Sequence, residues 1–136
     1  MDAEAVAAAW RLSPHPEGGF YRETYRSELA VTPEGWPGER ALATAILYLL
    51  PAGARSAWHR VRGEELWLWQ GGAAMALSIG GRERLLGPDS AAGQELQVLV
   101  PAGEWQSATP APGPPDWSLV ACVVALGFDF ADFELR

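Results

Sequence analysis

Apolar and polar positions along the chain predict one short helix followed by a series of β-strands. Residues 3–11 are rich in alanine, which favours a helix, and Asp2 stands where it can cap or charge the N-terminus of that helix. The two prolines and two glycines of residues 13–19 cannot continue a helix. β-Forming residues then dominate residues 20–26, and residues 42–50 are an apolar run of strand length.

Glycine and proline separate the later strand candidates at short intervals. Gly80-Gly81 is typical of a two-residue hairpin turn, and proline-containing turns part the candidates 85–87, 97–100 and 119–126. Short strands every ~8–12 residues with such turns indicate an all-β sandwich or barrel. A length of 136 residues fits a single domain, and the sequence shows neither a repeat nor a second domain.

Composition and charge argue against several classes of function. The formal net charge of −7 disfavours binding to nucleic acid or to an anionic membrane surface, because both attract basic proteins. No apolar run approaches the ~20 residues of a membrane span, and the first ten residues lack the basic region of a signal peptide. The single Cys122 cannot form an internal disulfide, which fits a reducing compartment. The sequence therefore predicts a cytoplasmic protein.

Two motifs in the chain have a spacing that points to a known superfamily. Five residues separate Gly53 from His59, Val61 and Glu65 follow, and Gln106 stands three residues after the glycine of a Pro-Ala-Gly turn. This spacing resembles the two signature motifs of the cupin superfamily, in which three histidines and a glutamate ligate one metal inside a β-barrel. The resemblance puts the four metal positions at His59, Val61, Glu65 and Gln106.

Five segments in order resemble one branch of that superfamily, the cupin-5 family of small bacterial and fungal proteins: 14–27, 58–61, 65–67, 100–106 and 127–134. One departure is Leu68, where the family would have a histidine. The resemblance implies an all-β fold, the cupin double-stranded β-helix or jelly-roll barrel, with a short N-terminal helix. It implies one domain over 1–136, with the helix at about 1–12 and the barrel at 13–136, and a homodimer. Members are compared with sugar epimerases, germins and seed-storage proteins, and their biochemical role is unsettled.

Strand parity predicts which side chains of these motifs face the pocket. Side chains alternate faces with a period of two, so Trp67 and Trp69 share the face of Glu65. His59 and Gln106 face inward from their own strands on the same reasoning. We expect His59 and Glu65 to be the catalytic residues. We expect Trp67 and Trp69 to supply an aromatic wall for the ligand, and Gln106 to supply an amide.

Metal binding is the first chemistry that such a pocket suggests. His59 and Glu65 are good ligands, Gln106 offers only a weak neutral donor, and Val61 cannot ligate. The sequence therefore predicts that no cofactor is required, and it leaves room for a weakly bound divalent metal at His59, Glu65 and Gln106.

Acid–base catalysis is the second chemistry that the predicted pocket suggests. A carboxylate near His59 favours the charged imidazole, and such a pair can move a proton as an isomerase or epimerase requires. The same pair is equally consistent with a structural hydrogen bond kept from a metal-binding ancestor. The leading hypothesis is a small-molecule-binding cupin that uses His59 and Glu65 in this way. The alternatives are a divalent-metal-dependent oxygenase or hydrolase, and a non-catalytic structural or storage-like cupin.

The two terminal segments allow more than one interpretation. Residues 14–27 either form a charged edge strand or fold over the barrel mouth, adding Glu17, Tyr21 and Glu23 to the ligand pocket. The second interpretation gives Gly18-Gly19 a role as a hinge or as a point of close backbone approach. Residues 128–134 alternate phenylalanine with acidic side chains, which is typical of a docking strand with a solvated face.

Overall fold

The computed structural model describes residues 1–135, which contain one α-helix and fourteen strands. The first half of the chain contains α1 (Ala3–Ala9), β1 (Ser13–Pro14), β2 (Phe20–Arg26), β3 (Ala30–Val31), β4 (Arg40–Ala41), β5 (Thr44–Pro51), β6 (Ser56–Arg60) and β7 (Glu64–Gly72). The second half contains β8 (Met75–Ile79), β9 (Arg82–Leu86), β10 (Gln94–Glu95), β11 (Gln97–Val100), β12 (Gln106–Pro110), β13 (Trp117–Ala125) and β14 (Glu134–Leu135). Two single 3-10 turns lie at Ser90–Ala92 and Phe130–Asp132.

Helix α1 is capped as the sequence predicts and ends slightly earlier. The Asp2 carboxylate accepts a hydrogen bond from the Ala5 N–H at 2.8 Å, which satisfies one of the free donors of the first turn. The helix ends at Ala9, and Arg11 adopts a positive φ of 57°, outside the helical region. Buried Val6 packs α1 against the first sheet. No helix among residues 1–135 is long and apolar enough to cross a membrane.

Two six-stranded sheets build the fold. The first has the order β1-β2-β5-β13-β7-β11 and the second β10-β9-β8-β12-β6-β14, while β3 and β4 form a separate two-stranded sheet. Pairs within both large sheets are antiparallel except β9 with β10. Tyr48 and Trp67 from the first sheet meet Met75 and Leu77 from the second in one buried core. The predicted all-β jelly roll is confirmed as a β-sandwich, whose described strands do not pair into a closed barrel.

Most strand predictions agree with the structure to within a few residues. Residues 20–26 and 97–100 are β2 and β11, and the apolar run at 42–50 becomes β5, which begins at Thr44. β8 and β9 pair antiparallel on either side of Gly80-Gly81, as the hairpin prediction requires. These agreements arise because turn chemistry and side-chain alternation are local properties of the chain.

The C-terminal segment connects the two sheets. β13 lies inside the first sheet, whereas β14 pairs with β6 at the edge of the second. Residues 126–133 therefore cross from one sheet to the other. Leu135 pairs with His59, so the crossing segment runs beside the strand that carries this histidine.

Candidate functional site

A cavity of about 400 Å³ lies between the sheets and is covered in part by the crossing segment. Strands of both sheets contribute its walls, and so do the turn before β2 and the residues after β13. The polar and charged side chains on its lining are His15, Glu17, Tyr21, Glu23, Arg26, Thr44, His59, Glu65 and Asp129. Its volume is in the range of small-molecule sites, which are usually a few hundred Å³.

One ring nitrogen of His59, Nδ1, contacts oxygen atoms of the protein. Its Nδ1 lies 2.7 Å from the carbonyl oxygen of Ala57 and 3.1 Å from Oε2 of Glu17. Because a carbonyl only accepts, Nδ1 carries the proton, and the neutral ring has its lone pair on Nε2. Burial lowers the pKa of His59, although the bond to Ala57 opposes that shift. His59 therefore lines the cavity as a neutral imidazole with a basic Nε2.

Glu65 is held by a buried chain of hydrogen bonds. The Trp67 indole N–H donates to Oε1 of Gln106 at 2.9 Å, and the Gln106 amide donates to Oε1 of Glu65 at 2.8 Å. The indole can only donate, so it fixes the orientation of the Gln106 amide. Burial raises the pKa of Glu65 to about 7, and the bond from Gln106 opposes that rise. Near neutral pH Glu65 is therefore present in both its acid and its carboxylate form.

Glu17 enters the cavity from the turn that precedes β2. Its side chain is 6% exposed, and burial raises its pKa to about 8, with the nearby Glu65 carboxylate adding to the shift. The backbone of the turn is tied to both sheets: the Tyr48 hydroxyl donates to the carbonyl of Gly18, and the Ala57 N–H donates to the carbonyl of Glu17. Glu17 is therefore a fixed, largely protonated acid at neutral pH.

The glycines of that turn permit a close approach of two backbones. Gly19 has φ of +77°, and a Cβ there would lie 2.5 Å from the carbonyl oxygen of Leu49. Gly18 has φ of +109°, and its Cβ would lie 2.8 Å from the carbonyl oxygen of Arg55. A side chain at either position would push the turn, and Glu17 with it, away from the sheets. Of the two roles expected for this pair, the geometry matches the close backbone approach.

His15 is a cavity residue that the sequence interpretation did not select. Its Nδ1 accepts the Glu17 N–H at 3.0 Å, and its ring contacts Tyr21 edge-on at a centroid distance of 4.5 Å. Burial lowers the pKa of His15 to about 4, with nearby His59 adding to the shift. The sequence feature that could have identified His15 as a site residue is that the chain contains only two histidines.

Phenylalanines of the crossing segment form the aromatic part of the lining, together with Tyr21. Phe128, Phe130 and Phe133 all line the cavity, and Phe133 stacks on His59 with a centroid distance of 5.4 Å. The expectation of a docking strand with a solvated face is therefore corrected. β14 does dock on β6, but the preceding phenylalanines turn inward because the segment crosses the open edge between the sheets.

The expected wall of tryptophans is also corrected. Trp67 does share the inward face of Glu65, but it is 1% exposed and packs in the core against Tyr48. Trp69 packs beside that core and donates its indole N–H to the carbonyl of Ala73. Neither indole is among the cavity-lining residues, because both lie farther along β7 than Glu65, Trp67 in the core and Trp69 partly buried beside it.

Of the remaining expected ligand contacts, Glu17, Tyr21 and Glu23 line the cavity, whereas Gln106 lies behind Glu65 and supports it. Arg26 lines the mouth as well, and its guanidinium donates to both carboxylate oxygens of Glu23, at 2.7 and 3.3 Å.

The residues at the four cupin metal positions do not fit a resident metal ion. Val61 has no donor atom, and Gln106 uses its carbonyl oxygen to accept the Trp67 indole N–H, so the expected Gln106 ligand is corrected. Oε1 of Glu65 is likewise engaged by Gln106. Among residues 1–135, no three His, Cys, Asp or Glu side chains are grouped so as to hold a metal. Histidine-rich or carboxylate-rich clusters of at least three ligands are what such sites need.

An ion pair fastens the crossing segment beside the cavity. The Arg40 guanidinium donates to both carboxylate oxygens of Asp132, at 2.8 and 3.0 Å, and both side chains are 4% exposed. Arg62 approaches the same carboxylate at 3.4 Å. The hydrogen bonds and charge of Arg40 lower the pKa of Asp132. This contact holds the 3-10 turn that carries Phe130 in place.

A two-sheet jelly roll with a ligand-sized cavity bearing a buried histidine and glutamate defines a cupin. The family model for Cupin_5, described as cupin superfamily (DUF985), matches residues 4–136. The chain therefore belongs to the Cupin_5 family, as its motifs predict. A search of curated proteins returns no significant match.

Solved structures support the same assignment. A hypothetical protein from Leishmania major is 31% identical with a TM-score of 0.91, over 100% of this chain and 88% of that one. A protein from Shewanella oneidensis is 37% identical with a TM-score of 0.87, over 100% of this chain and 85% of that one. KdgF from Halomonas sp., at 16% identity and a TM-score of 0.61 over 88% and 89% of the two chains, shares the fold.

Proposed function

We propose that this protein binds a small metabolite in its cavity and moves a proton on it, as an isomerase or epimerase does. The observation that carries the proposal is that His59, with its basic Nε2, and the buried acid Glu65 line the same cavity. Proton transfer needs a base and an acid, and here they are the basic Nε2 of His59 and the carboxyl of Glu65, whose pKa of about 7 lies near neutral pH.

Each cavity residue has a defined part in this reaction. Nε2 of His59 removes a proton from the carbon beside a carbonyl group, while the protonated Glu65 donates a proton to the carbonyl oxygen. On a substrate with a hydroxyl group beside the carbonyl, the Glu65 carboxylate then takes the proton of that hydroxyl, and the His59 imidazolium returns its proton to the former carbonyl carbon. This gives the isomer and restores both residues. The step is redox-neutral and needs no cofactor. Glu17 contacts the Nδ1 edge of His59 and is a positioning residue for that ring.

The ligand contacts outside the reacting pair come from β2. Tyr21 and Glu23 line the cavity nearer its mouth and are placed to hold the part of the ligand that does not react. We further propose a cytoplasmic homodimer, since a twofold dimer is the commonest assembly and a lone buried Cys122 suits a reducing compartment. Light scattering on the purified protein tests the dimer.

Hydrogen exchange from deuterated water tests the proton transfer directly. Carbonyl-containing metabolites incubated with the protein in D₂O gain mass when a C–H bond beside the carbonyl is opened. We expect at least one exchanging compound, and loss of its exchange in His59→Gln and in Glu65→Gln. Glu134→Gln is the control, because this exposed side chain pairs with Arg60 and is not among the described residues that line the cavity. Exchange that persists in both cavity variants would overturn the assignment.

Binding is measured separately by thermal shift with the same compounds. A compound that stabilises the wild-type protein should stabilise the His59→Gln variant less, because it loses the Nε2 contact. Ligands that bind equally to wild type and to both cavity variants would place the binding site elsewhere.

A further inference from the structure

The charges on the cavity lining are unbalanced. Glu17, Glu23, Glu65 and Asp129 contribute carboxyl groups, and Arg26 is the one cation among the described lining residues. Arg26 is already neutralised by its two-point contact with Glu23. The two lining histidines are neutral because burial lowers the pKa of each. The inner carboxyls of Glu17 and Glu65 therefore face a cavity whose described residues supply them with no cation.

Aromatic rings enclose the outer part of the same cavity. Phe128 and Phe130 are 4.8 Å apart with planes at 83°, and Phe133 lies 6.0 Å from each, at 75° and 72°. At these distances and angles the three rings pack edge to face, and all three belong to the lining of the cavity. Tyr21 adds a fourth ring to the lining. Faces of aromatic rings carry negative potential and attract cations.

The rest of the lining offers few hydrogen bonds to a neutral polyol. Ile46, Val61 and Val124 are apolar, and the Thr44 hydroxyl already accepts the Phe128 N–H. The hydroxyl groups of a sugar that face these apolar walls and the phenylalanine rings would remain without partners. An anion would find no unpaired cation among the described lining residues, and the ionised fraction of Glu65 would repel it.

We propose that the cavity binds an organic cation of the alkylammonium class, with its head group beside the phenylalanine rings and Glu17 as its counter-charge. This inference rests on the proposed small-molecule site and names the class of its ligand. Binding of the cation favours loss of the Glu17 proton, so that Glu17 becomes the counter-charge, while Glu65 keeps the proton that the proposed reaction uses. The methyl or methylene groups of the ligand fill the apolar walls. The reacting carbonyl compound of the proposed function then carries this cationic group.

Three probes of nearly equal shape but different charge test the proposal. Choline, 3,3-dimethylbutan-1-ol and 3,3-dimethylbutanoate carry a positive, a neutral and a negative charge. We expect calorimetric titration to give choline an affinity about tenfold above that of the alcohol, with the anion weakest. Equal or tighter binding of the alcohol or the anion would overturn the proposal. So would failure of choline to bind at tens of millimolar.

Substitution of one phenylalanine shows whether its ring attracts the charge of the ligand or only occupies space beside it. Phe130 is 48% exposed, so Phe130→Leu removes the ring at small cost to the core. The choline affinity should fall roughly 2- to 30-fold in Phe130→Leu, and Phe130→Tyr should restore it. The affinity for the neutral alcohol should change little in either variant. A parallel loss for choline and the alcohol would mean that the ring only fills space and would overturn its role.

The inner carboxyls are tested by Glu17→Gln, which keeps the shape of the side chain. We expect the ratio of choline affinity to alcohol affinity to fall in this variant, and an unchanged ratio would contradict the proposal. The outcomes separate the two inferences. Hydrogen exchange that depends on His59 together with a preference for neutral ligands would retain the proposed function and reject the cation.

Discussion

Carboxyl groups with little exposure to solvent occur in two neighbouring regions of the protein, and they differ in their partners. In the cavity, Glu17 and Glu65 have no cation opposite them, and burial raises the pKa of both. Beside the cavity, the half-buried Asp132 receives two hydrogen bonds from Arg40, and its pKa is lowered. A buried carboxyl without a partner is costly to ionise, whereas one with a guanidinium partner is held as an anion.

This difference distinguishes a binding site from a structural ion pair. In the Arg40–Asp132 pair each charge is balanced by the other, so neither side chain is available to bind a charged ligand. The cavity carboxyls keep an unmet capacity for a proton or a cation, which is the usual condition of functional groups. The two regions are joined by the crossing segment, since the 3-10 turn at Phe130–Asp132 contributes to both.

The largest effect is expected when the satisfied pair is broken. Arg40→Met leaves the Asp132 charge without its main partner, and we expect the melting temperature to fall by about 10 °C. Circular dichroism during heating measures the change. The double variant Arg40→Met with Asp132→Leu should recover part of the loss, because no unpaired charge remains. A double variant less stable than the single one would contradict this account of the pair.

Removal of the support behind Glu65 is expected to cost less. Gln106→Leu leaves the Trp67 indole N–H and the Glu65 carboxyl without their buried partner, at a cost of about 2 kcal/mol. Urea denaturation gives this value. Gln70→Leu on the exposed side of β7 is the matched control and should change stability little. Similar losses of unfolding free energy in the two variants would show that the buried hydrogen bonds of Gln106 do not contribute more than an exposed side chain does.

The cavity carboxyls should make stability fall as the pH rises. The pKa of Glu17 is about 8 in the folded state and ordinarily 4.5, so the native state keeps a proton that the unfolded state releases between those values. Stability therefore decreases as pH rises through this window. His15, with a folded pKa of about 4 against 6.5, has the opposite effect below pH 6.5 and none above it.

Between pH 6.5 and 8, Glu17 should remove about 1.5 kcal/mol of stability, and Glu17→Gln should abolish that share of the decline. Urea denaturation at the two pH values measures it. Glu134→Gln serves as the control, because its partner Arg60 lies at the surface. An identical pH dependence in Glu17→Gln and wild type would refute the raised pKa.

The smallest effect is expected at an ion pair whose side chains are 46% and 42% exposed. Arg84 donates to both carboxylate oxygens of Glu95 at 2.7 Å, a geometry as good as that of Arg40 with Asp132. Solvent screens this pair, so Arg84→Gln should shift the melting temperature by less than about 2 °C. A shift as large as that of Arg40→Met would show that burial does not distinguish the two pairs.

Sequence reasoning identified the fold and part of the site for different reasons. Strands such as 20–26 and the turn at Gly80-Gly81 follow from local alternation and turn chemistry. His59 and Glu65 were found because motif spacing is also a local property. The tryptophans of β7 were assigned to the correct face, but parity does not tell depth, and Trp67 lies in the core rather than on the cavity lining.

By itself the sequence indicated the all-β strands, the capped first helix and the inward direction of His59 and Glu65, because those depend on short-range patterns, and its resemblance to the cupin-5 family implied the jelly roll. Only the tertiary structure decided which charges find partners. Arg40 and Asp132 are 92 residues apart in the chain. Glu17, in the turn before β2, contacts His59 in β6. Such long-range contacts determine how deeply a carboxyl group is buried and whether a cation lies beside it. A buried carboxyl with a cation stabilises the fold, whereas one without a cation is available to bind a ligand.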